Sequence, residues 1–419
     1  MDFSTHYFLR YNAQPILFDT PPCENVGMIV VIPCYDDELI FNTLQSLEGA
    51  KQGESDVEVI VIVNSGINAP VSVVENNRKI FAELKEKKES GYYKRFKLLP
   101  AIVENISKKT AGVGYARKAG MDEAVRRFAA IDKPQGIIIS LDADTLVNEN
   151  YFISIENNFK QNSKAGAFTF QFQHDFNPEI YSKEEIEACK RYEIYLRYFR
   201  LGLKLTGFPY YFHTIGSCFA VTASAYTKVG GMPCRQGGED FYFLHKLAPM
   251  TAVGEIKEVL VYPAPRVSDR VPFGTGPSVK RIIEDGSYHV YNVELFLVLK
   301  RFFDCFELFS SSDDSKSSDE LRSELEYIPS EIIKFTSEKR LSETINECRQ
   351  NAKPGKNLIK RLFSKFDAFF VIKFLNSFDN DSDYSPIDVM EAAKLLMTYN
   401  GVEKIDDIYN FIFELDITS

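Results

Sequence analysis

Tryptophan is absent from the 419 residues, and histidine occurs only at His6, His174, His213, His245 and His289, with no His-Glu-x-x-His and no paired-histidine spacing. His174, beside Asp175 at the end of an alternating stretch, is the one best placed to face a cleft, with a structural role the commoner fate. The seven cysteines (Cys23, Cys34, Cys189, Cys218, Cys234, Cys305 and Cys348) are odd in number and scattered, and no Cys-x-x-Cys occurs. Neither a disulfide framework nor a zinc site is therefore expected. There is no Gly-x-Ser-x-Gly and no P-loop lysine motif, so hydrolase and kinase readings lose support. No basic block offsets the net charge of -10, which argues against nucleic acid as a partner. The most apolar runs, Val293–Leu299 and Phe369–Phe374, are far too short to span a bilayer. The first residues carry Asp2, His6 and Arg10 with no apolar core of a signal peptide, so the expected compartment is the cytoplasm. No internal repeat is visible.

What is present centres on one stretch, Gly136 to Val147, reading G-I-I-I-S-L-D-A-D-T-L-V. Three consecutive isoleucines after a glycine make a short continuous apolar run, the mark of a strand buried on both faces. Asp142 and Asp144 follow where that run stops. In an open α/β sheet, ligands bind at the carboxyl ends of central strands. Two acids there repel unless a cation sits between them, and a hard divalent ion is the natural candidate. An EF-hand is excluded, because its fifth position would be Leu146, its obligatory glycine Val147 and its closing glutamate Ile153. A helix N-cap at either aspartate is the competing explanation.

Around this stretch the pattern alternates. Gly27–Pro33 predicts a buried strand stopped by Pro33, and Asp36 or Asp37 then caps a helix with Ile40, Leu44 and Leu47 on one face. Val57–Val63 predicts a second strand, Val71–Lys87 a helix, Leu98–Val103 a third strand, and Ala111–Ala130 a loop passing into a helix. This alternation means an α/β fold with a mostly parallel sheet. Phe168–Gln173 alternates strictly, as a strand with one wet face would. Ser182–Glu185 is a capping box opening a helix to about Lys204, and Gly216–Val221 and Val259–Tyr262 predict further strands. The stretch 310–320 is a polar, low-complexity linker. Residues 321–419 read as a small C-terminal helical region, in which Ser385 caps a helix with Pro386 in its first turn.

Three further features hold residues suited to chemistry. In Ala111–Gly120 the glycines let backbone approach a ligand, and Arg117 on the following helix is placed to hold a base or diphosphate. The spacing is not that of a dinucleotide fingerprint. In Gly237-Gly238-Glu239-Asp240-Phe241, two acids open an apolar helix, either as a cap or with one as a general base. Ser268–Gly276 is a loop able to close over a ligand, with Arg270 placed to neutralise a leaving phosphate.

Taken in order, V-I-P-C-Y-D-D-E (Val31–Glu38), the glycine-rich segment Gly112–Gly120, L-D-A-D-T (Leu141–Thr145), I-G-S-C-F-A (Ile215–Ala220), V-G-G-M (Val229–Met232) and G-G-E-D-F (Gly237–Phe241) resemble the family 2 glycosyltransferases of GT-A fold, over roughly residues 27–280. The resemblance implies a GT-A domain over 1–309, with a Rossmann-like, mostly parallel sheet flanked by helices. It implies an inverting transfer of a sugar from a nucleotide-diphosphate donor to a hydroxyl of a sugar or glycoconjugate acceptor, with Mn²⁺ or Mg²⁺. Asp144 would then be the metal ligand, and Asp142 would face the donor ribose or the metal shell. Pro33, Tyr35, Glu38 and Asn64 would lie by the nucleotide, and Arg117 would contact base or phosphate. Asp240 would be the base, Glu239 would meet the acceptor, and Arg270 would serve as lid or diphosphate contact.

Two departures stand out. Asn64-Ser65-Gly66 takes the place of the family's D-D-x-S turn, which removes the acid expected to read the base. No Q-x-x-R-W signature or paired membrane helices follow, against a processive polysaccharide synthase. The tail past 320 matches nothing, which leaves peripheral membrane association, a protein partner or self-association open. The rival readings are a retaining GT-A transferase, a sugar-1-phosphate nucleotidyltransferase and a non-catalytic nucleotide-sugar-binding scaffold. A nucleotidyltransferase would want a glycine-rich basic loop after the first strand, where this chain has P-C-Y-D-D-E.

Overall fold

The structure, a computed structural model, describes residues 2–11, 13–268, 274–310, 324–379, 381, 383–402 and 407–419. Arg270 and most of the 310–320 segment lie outside the described residues. The chain forms two compact units, one of Met1–Cys189 with His213–Glu284, the other of Lys190–Phe212 with Asp285–Ser419.

The first unit is built on eight strands, β1 (Val26–Cys34), β2 (Asp56–Gly66), β3 (Lys97–Ile106), β4 (Ile137–Ser140), β5 (Thr145–Val147), β6 (Ala165–Phe172), β7 (Phe219–Thr222) and β8 (Ala252–Pro263). They form one sheet in the order β3-β2-β1-β4-β7-β6-β8-β5. Four of its seven pairings are parallel: β1 with β2 and with β4, β2 with β3, and β6 with β8. The apolar runs of β1, β2 and β4 are buried on both faces, which is why they read as continuous rather than alternating. Helices α1 (Thr5–Arg10), α2 (Ile40–Gly49), α3 (Val71–Glu89), α4 (Val113–Ala130) and α5 (Tyr151–Gln161) alternate with these strands. Successive strands step from β1 out to β3, then return across β1 to β4. The crevice at the carboxyl ends of β1 and β4 is thus the topological switch point of the sheet.

Several expectations need correcting. Pro33 does not stop its strand, for β1 runs to Cys34 with Pro33 paired to Ile62. Alternate residues of a strand point their backbone groups to the same side, and the Val31 carbonyl accepts from Leu141 N–H (3.1 Å) where the β4 ladder ends. The missing donor of Pro33 therefore faces the side on which no ladder bond remains to be made. Neither Asp36 nor Asp37 caps α2, whose N-cap is Leu39. β6 has no wet face: α5 and α7 (Ala223–Lys228) both pack against it, and buried Gln171 donates to Glu255 at 2.9 Å. The capping box is present, with Ser182 and Glu185 exchanging bonds at the start of α6 (Lys183–Leu205).

Helices α8 (Glu239–Leu247) and α9 (Thr275–Asp285) complete the first unit. The second takes the later part of α6, then α10 (Val293–Ser310), α11 (Ser330–Thr336), α12 (Glu338–Gln350), α13 (Lys356–Lys365), α14 (Ala368–Asn376), α15 (Val389–Tyr399) and α16 (Ile408–Thr418). Its core is phenylalanine-rich, with Phe302 against Phe366 (5.0 Å between ring centres) and Phe306 against Phe363 (4.9 Å). Pro386 is not in a first helical turn. Ile387–Asp388 pairs with His289–Val290, and the Asp388 carboxylate caps α15 by accepting Met390 N–H at 2.9 Å. No helix among the described residues is long and apolar enough to cross a membrane.

α16 is fastened by buried charge. Arg197 donates to Glu193 (2.8 Å) and Asp416 (2.6 Å), and Arg200 donates to both the carboxylate (2.5 Å) and the backbone carbonyl (2.7 Å) of Asp416. Removing one member of such a group leaves uncompensated buried charge. Asp416→Ala is expected to lower the stability of the helical unit by roughly 3–5 kcal/mol, read from urea unfolding.

Candidate active site

Beyond Ser140 the chain leaves the sheet in a turn, closed by Thr145 N–H on the Asp142 carbonyl (3.3 Å), before pairing again as β5 against β8. The buried Thr43 hydroxyl of α2 donates to the Ala143 carbonyl at 2.8 Å and pins the turn between the two aspartates. Neither aspartate is a helix cap, because the next helix opens only at Tyr151 with Asn150 in the cap position. Nor do they share one cation. Each has its own guanidinium: Asp142 pairs with Arg117, and Asp144 with Arg266 at 2.9 Å.

Arg117 is 2% exposed and lies between two acids, with one nitrogen on Asp142 and another on Glu239, itself 2% exposed. Its Nε is buried with no partner. The Ile215–Ala220 motif makes room for this group. A Cβ at Gly216 would overlap the Arg117 guanidinium, and the Ser217 hydroxyl donates to the other Asp142 oxygen at 2.6 Å. Ser217 in turn lies 3.2 Å from the Thr145 hydroxyl. Asp142 is thereby fixed from two sides.

Gly112 and Gly114 of the glycine-rich segment lie against the protein's own backbone. A Cβ at Gly112 would stand 2.9 Å from Gln236 Cα, and one at Gly114 would meet backbone atoms of Arg235 and of Pro233, the latter at 2.8 Å. Gly114 N–H also donates to the Arg235 carbonyl (3.1 Å). These glycines seat the 233–238 loop, which delivers α8. Gly238 caps that helix in the left-handed region (φ 68°), which costs a glycine least. Glu239 and Asp240 occupy its first turn.

The acids of α8 differ in consequence. Glu239 is buried and already matched by Arg117; burial pushes its pKa up and Arg117 opposes that. Asp240 is half-buried and is pushed up to about 7, by burial first and by the neighbouring Glu239 charge next, with Arg117 acting against both. A carboxyl group that titrates near neutrality can take a proton at working pH and release it again.

Other residues singled out from sequence flank the switch point. Pro33 is buried within β1, Tyr35 is half-buried with its phenol pushed up by burial and the Asp36 charge, and Glu38 is exposed. Asn64 is buried at the end of β2, its carbonyl accepting from Asn77 of α3 (3.0 Å). Asn77 also accepts from Asp36 N–H (2.8 Å), so the ends of β1 and β2 are joined through one side chain. His174 is buried beside Phe172 and lies 3.2 Å from the Thr275 hydroxyl. Three participants carry no site role in the sequence reading: Asp37, named there only as a cap for α2, Ser217, inside the Ile215–Ala220 motif, and Arg266.

The donors near Asp144 are oxygen ligands, the kind Mg²⁺ and Mn²⁺ prefer. Among the described residues no group of three or more His, Cys, Asp or Glu is arranged to hold a metal ion. Magnesium is commonly held by one or two carboxylates with substrate phosphates and water completing the shell, and Asp144 fits that mode. A guanidinium already placed against Asp144 marks the spot as one that accepts positive charge.

No protein-family model matches the chain, and no curated protein matches it. Among solved structures it is similar to residues 1–349 of S. aureus TarS in complex with UDP-GlcNAc, at 12% identity and TM-score 0.40, covering 81% of this chain and 91% of that one. It is similar also to the mannosyltransferase PcManGT from Pyrobaculum calidifontis in complex with GDP-Man and Mn²⁺, at 14% identity and TM-score 0.36, covering 99% of this chain and 91% of that one.

The Asp240 environment has a measurable consequence. A carboxyl whose pKa is about 7 when folded, against 3.8 as its ordinary value, holds its proton more tightly in the folded state. Below pH 4 it costs the fold nothing, and as pH rises from about 4 to 7 it destabilises progressively. Thermal melts of Asp240→Asn are therefore expected to gain on the native protein across that interval. The gain should level off above it.

Proposed function

We propose that the chain is a glycosyltransferase that moves a sugar from a nucleotide-diphosphate donor to an acceptor hydroxyl with inversion at the anomeric carbon. The observation that carries the reading is Asp240: a carboxyl group titrating near 7, tied through Glu239 and Arg117 to Asp142 at the tip of β4. In this reading the donor lies along the carboxyl ends of β1, β2 and β4. Tyr35 and Asn64 flank the nucleoside, and Asp142, held by Arg117 and Ser217, faces the ribose or the metal shell. Asp144 would hold a divalent ion, which when bound supplies positive charge for the leaving diphosphate. Asp240 accepts the proton of the acceptor hydroxyl as its oxygen attacks the anomeric carbon, the diphosphate leaving from the opposite face.

Two roles are proposed differently from those the sequence resemblance implies. Arg117 is committed to Asp142 and Glu239, so it becomes a positioning residue rather than a contact to base or phosphate. Glu239 is buried against Arg117 and holds the first turn of α8 in place, leaving Asp240 as the acid that meets the acceptor.

The test is a panel of nucleotide sugars with Mn²⁺ or Mg²⁺, scored for binding, donor hydrolysis and transfer, with the anomeric configuration of the product determined. Asp144→Ala is expected to abolish metal-dependent donor binding. Asp240→Asn is expected to keep donor binding while kcat falls roughly 10²- to 10⁴-fold, the usual contribution of general base catalysis. A fully active Asp240→Asn, or product with retained configuration, removes the base role. For the native protein kcat/KM should rise with pH through about 7, because the deprotonated carboxylate is the active form.

A further inference from the structure

Asp36 stands just beyond β1 with its backbone in the left-handed region (φ 51°), which side chains adopt at a cost and which aspartate and asparagine tolerate best. Such a conformation persists only where its surroundings over-determine it, and it clusters at ligand sites. Here two consecutive residues of α3 hold it. Asn77 Oδ1 accepts Asp36 N–H at 2.8 Å, and Asn76 Nδ2 donates to Asp36 Oδ1 at 2.9 Å. Asn77 is 1% exposed, and its own Nδ2 donates to the Asn64 carbonyl at 3.0 Å. One buried amide therefore joins Asp36 to the end of β2. Asp36 follows Tyr35 in the chain and is one side chain away from Asn64, the two residues that flank the nucleoside in the proposed binding mode.

The carboxylate is only half used. Oδ1 is bonded to Asn76, whereas among the described residues Oδ2 accepts no hydrogen bond and no lysine or arginine pairs with the group. Asp36 is half-buried, and its charge reaches the Tyr35 phenol, which burial first and that charge next push up. The neighbouring strand ends offer no rival acid. β2 runs out through Asn64-Ser65-Gly66-Ile67-Asn68, and Glu104 of β3 is taken by Arg78 through two bonds (2.8 and 3.1 Å). A carboxylate accepts and does not donate, so it favours a ligand edge that carries an N–H and repels one that presents a lone pair. An aromatic ring beside an oxygen held still in this way suits a flat heterocycle read along its edge.

We propose that Asp36 reads the nucleobase of the donor: its Oδ2 accepts the ring N–H of uracil or guanine, while cytosine and adenine, which present a lone pair at the matching ring nitrogen, are rejected. The inference rests on the nucleotide-sugar reading of the same crevice and adds to it the choice of base.

The experiment is a calorimetric titration of the full chain with UDP, GDP, CDP, ADP and pyrophosphate, each with Mn²⁺. The native protein is expected to bind UDP or GDP at least about tenfold more tightly than CDP and ADP. Asp36→Asn keeps the left-handed turn and an oxygen for Asn76, but its amide can donate as well as accept. It is expected to lose at least about tenfold for the favoured diphosphate, with pyrophosphate unchanged and the preference over CDP and ADP gone. Circular dichroism checks the fold, and Asp36→Gly, which takes the left-handed turn without strain, repeats the comparison should the asparagine variant fail to fold. A native protein that binds UDP and GDP no better than CDP and ADP overturns the inference and leaves the transfer reading standing. An Asp36→Asn protein that keeps its preference does the same. Equal losses across all four nucleotides point to the ribose or to the fold and overturn it too. A native protein that binds none of the four removes the nucleotide-sugar reading and the inference together.

Discussion

The buried guanidinium of Arg117 is the group on which the rest of the site depends. Removing such a cation from water costs several kcal/mol unless its partners are charged and well placed. Here they are Asp142 at the tip of β4 and Glu239 at the start of α8, from different parts of the chain. A planar fork can serve two acids in different directions at once, which the compact ammonium of a lysine does poorly. The surroundings give way to it. Gly216 supplies the space, Ser217 holds the far side of Asp142, and Gly112 and Gly114 let the loop before α8 lie flat against the helix that carries Arg117.

That arrangement leaves the site short of positive charge. Arg117 faces Asp142, Glu239 and Asp240, and the raised pKa of Asp240 is the direct result of three acids and burial set against one cation. Next along the turn, Arg266 bonds both Asp37 and Asp144. Proton uptake by Asp240 relieves the shortage around Arg117.

Much of this was legible in the sequence and some could not have been. The apolar runs of β1, β2 and β4 declare buried strands, and the aspartates stand out because they interrupt the third run. Their partners are another matter. Arg266 lies 122 residues from Asp144 and 229 from Asp37, and no local spacing links them. The glycines at 112 and 114 suggest in sequence a backbone that approaches a ligand, whereas what lies against them is residues 233–236, a fact of tertiary packing. The alternation in β6 misled for a related reason: its polar residues are buried and bonded within the fold, Gln171 to Glu255, so a polar period does not imply a wet face.

The two halves of the sheet divide the labour. Its parallel half, β3-β2-β1-β4, puts Asp37 and Asp142 at the ends of neighbouring strands and hangs Arg117 on the helix between β3 and β4. A parallel sheet alone would leave those acids facing an open crevice. The mixed half closes it. The antiparallel β4–β7 pairing brings Ser217 to Asp142, α8 delivers Glu239 and Asp240, and the antiparallel β5–β8 pairing brings Arg266 to Asp144. Chemistry is possible at the seam because acids fixed by one half meet partners supplied by the other.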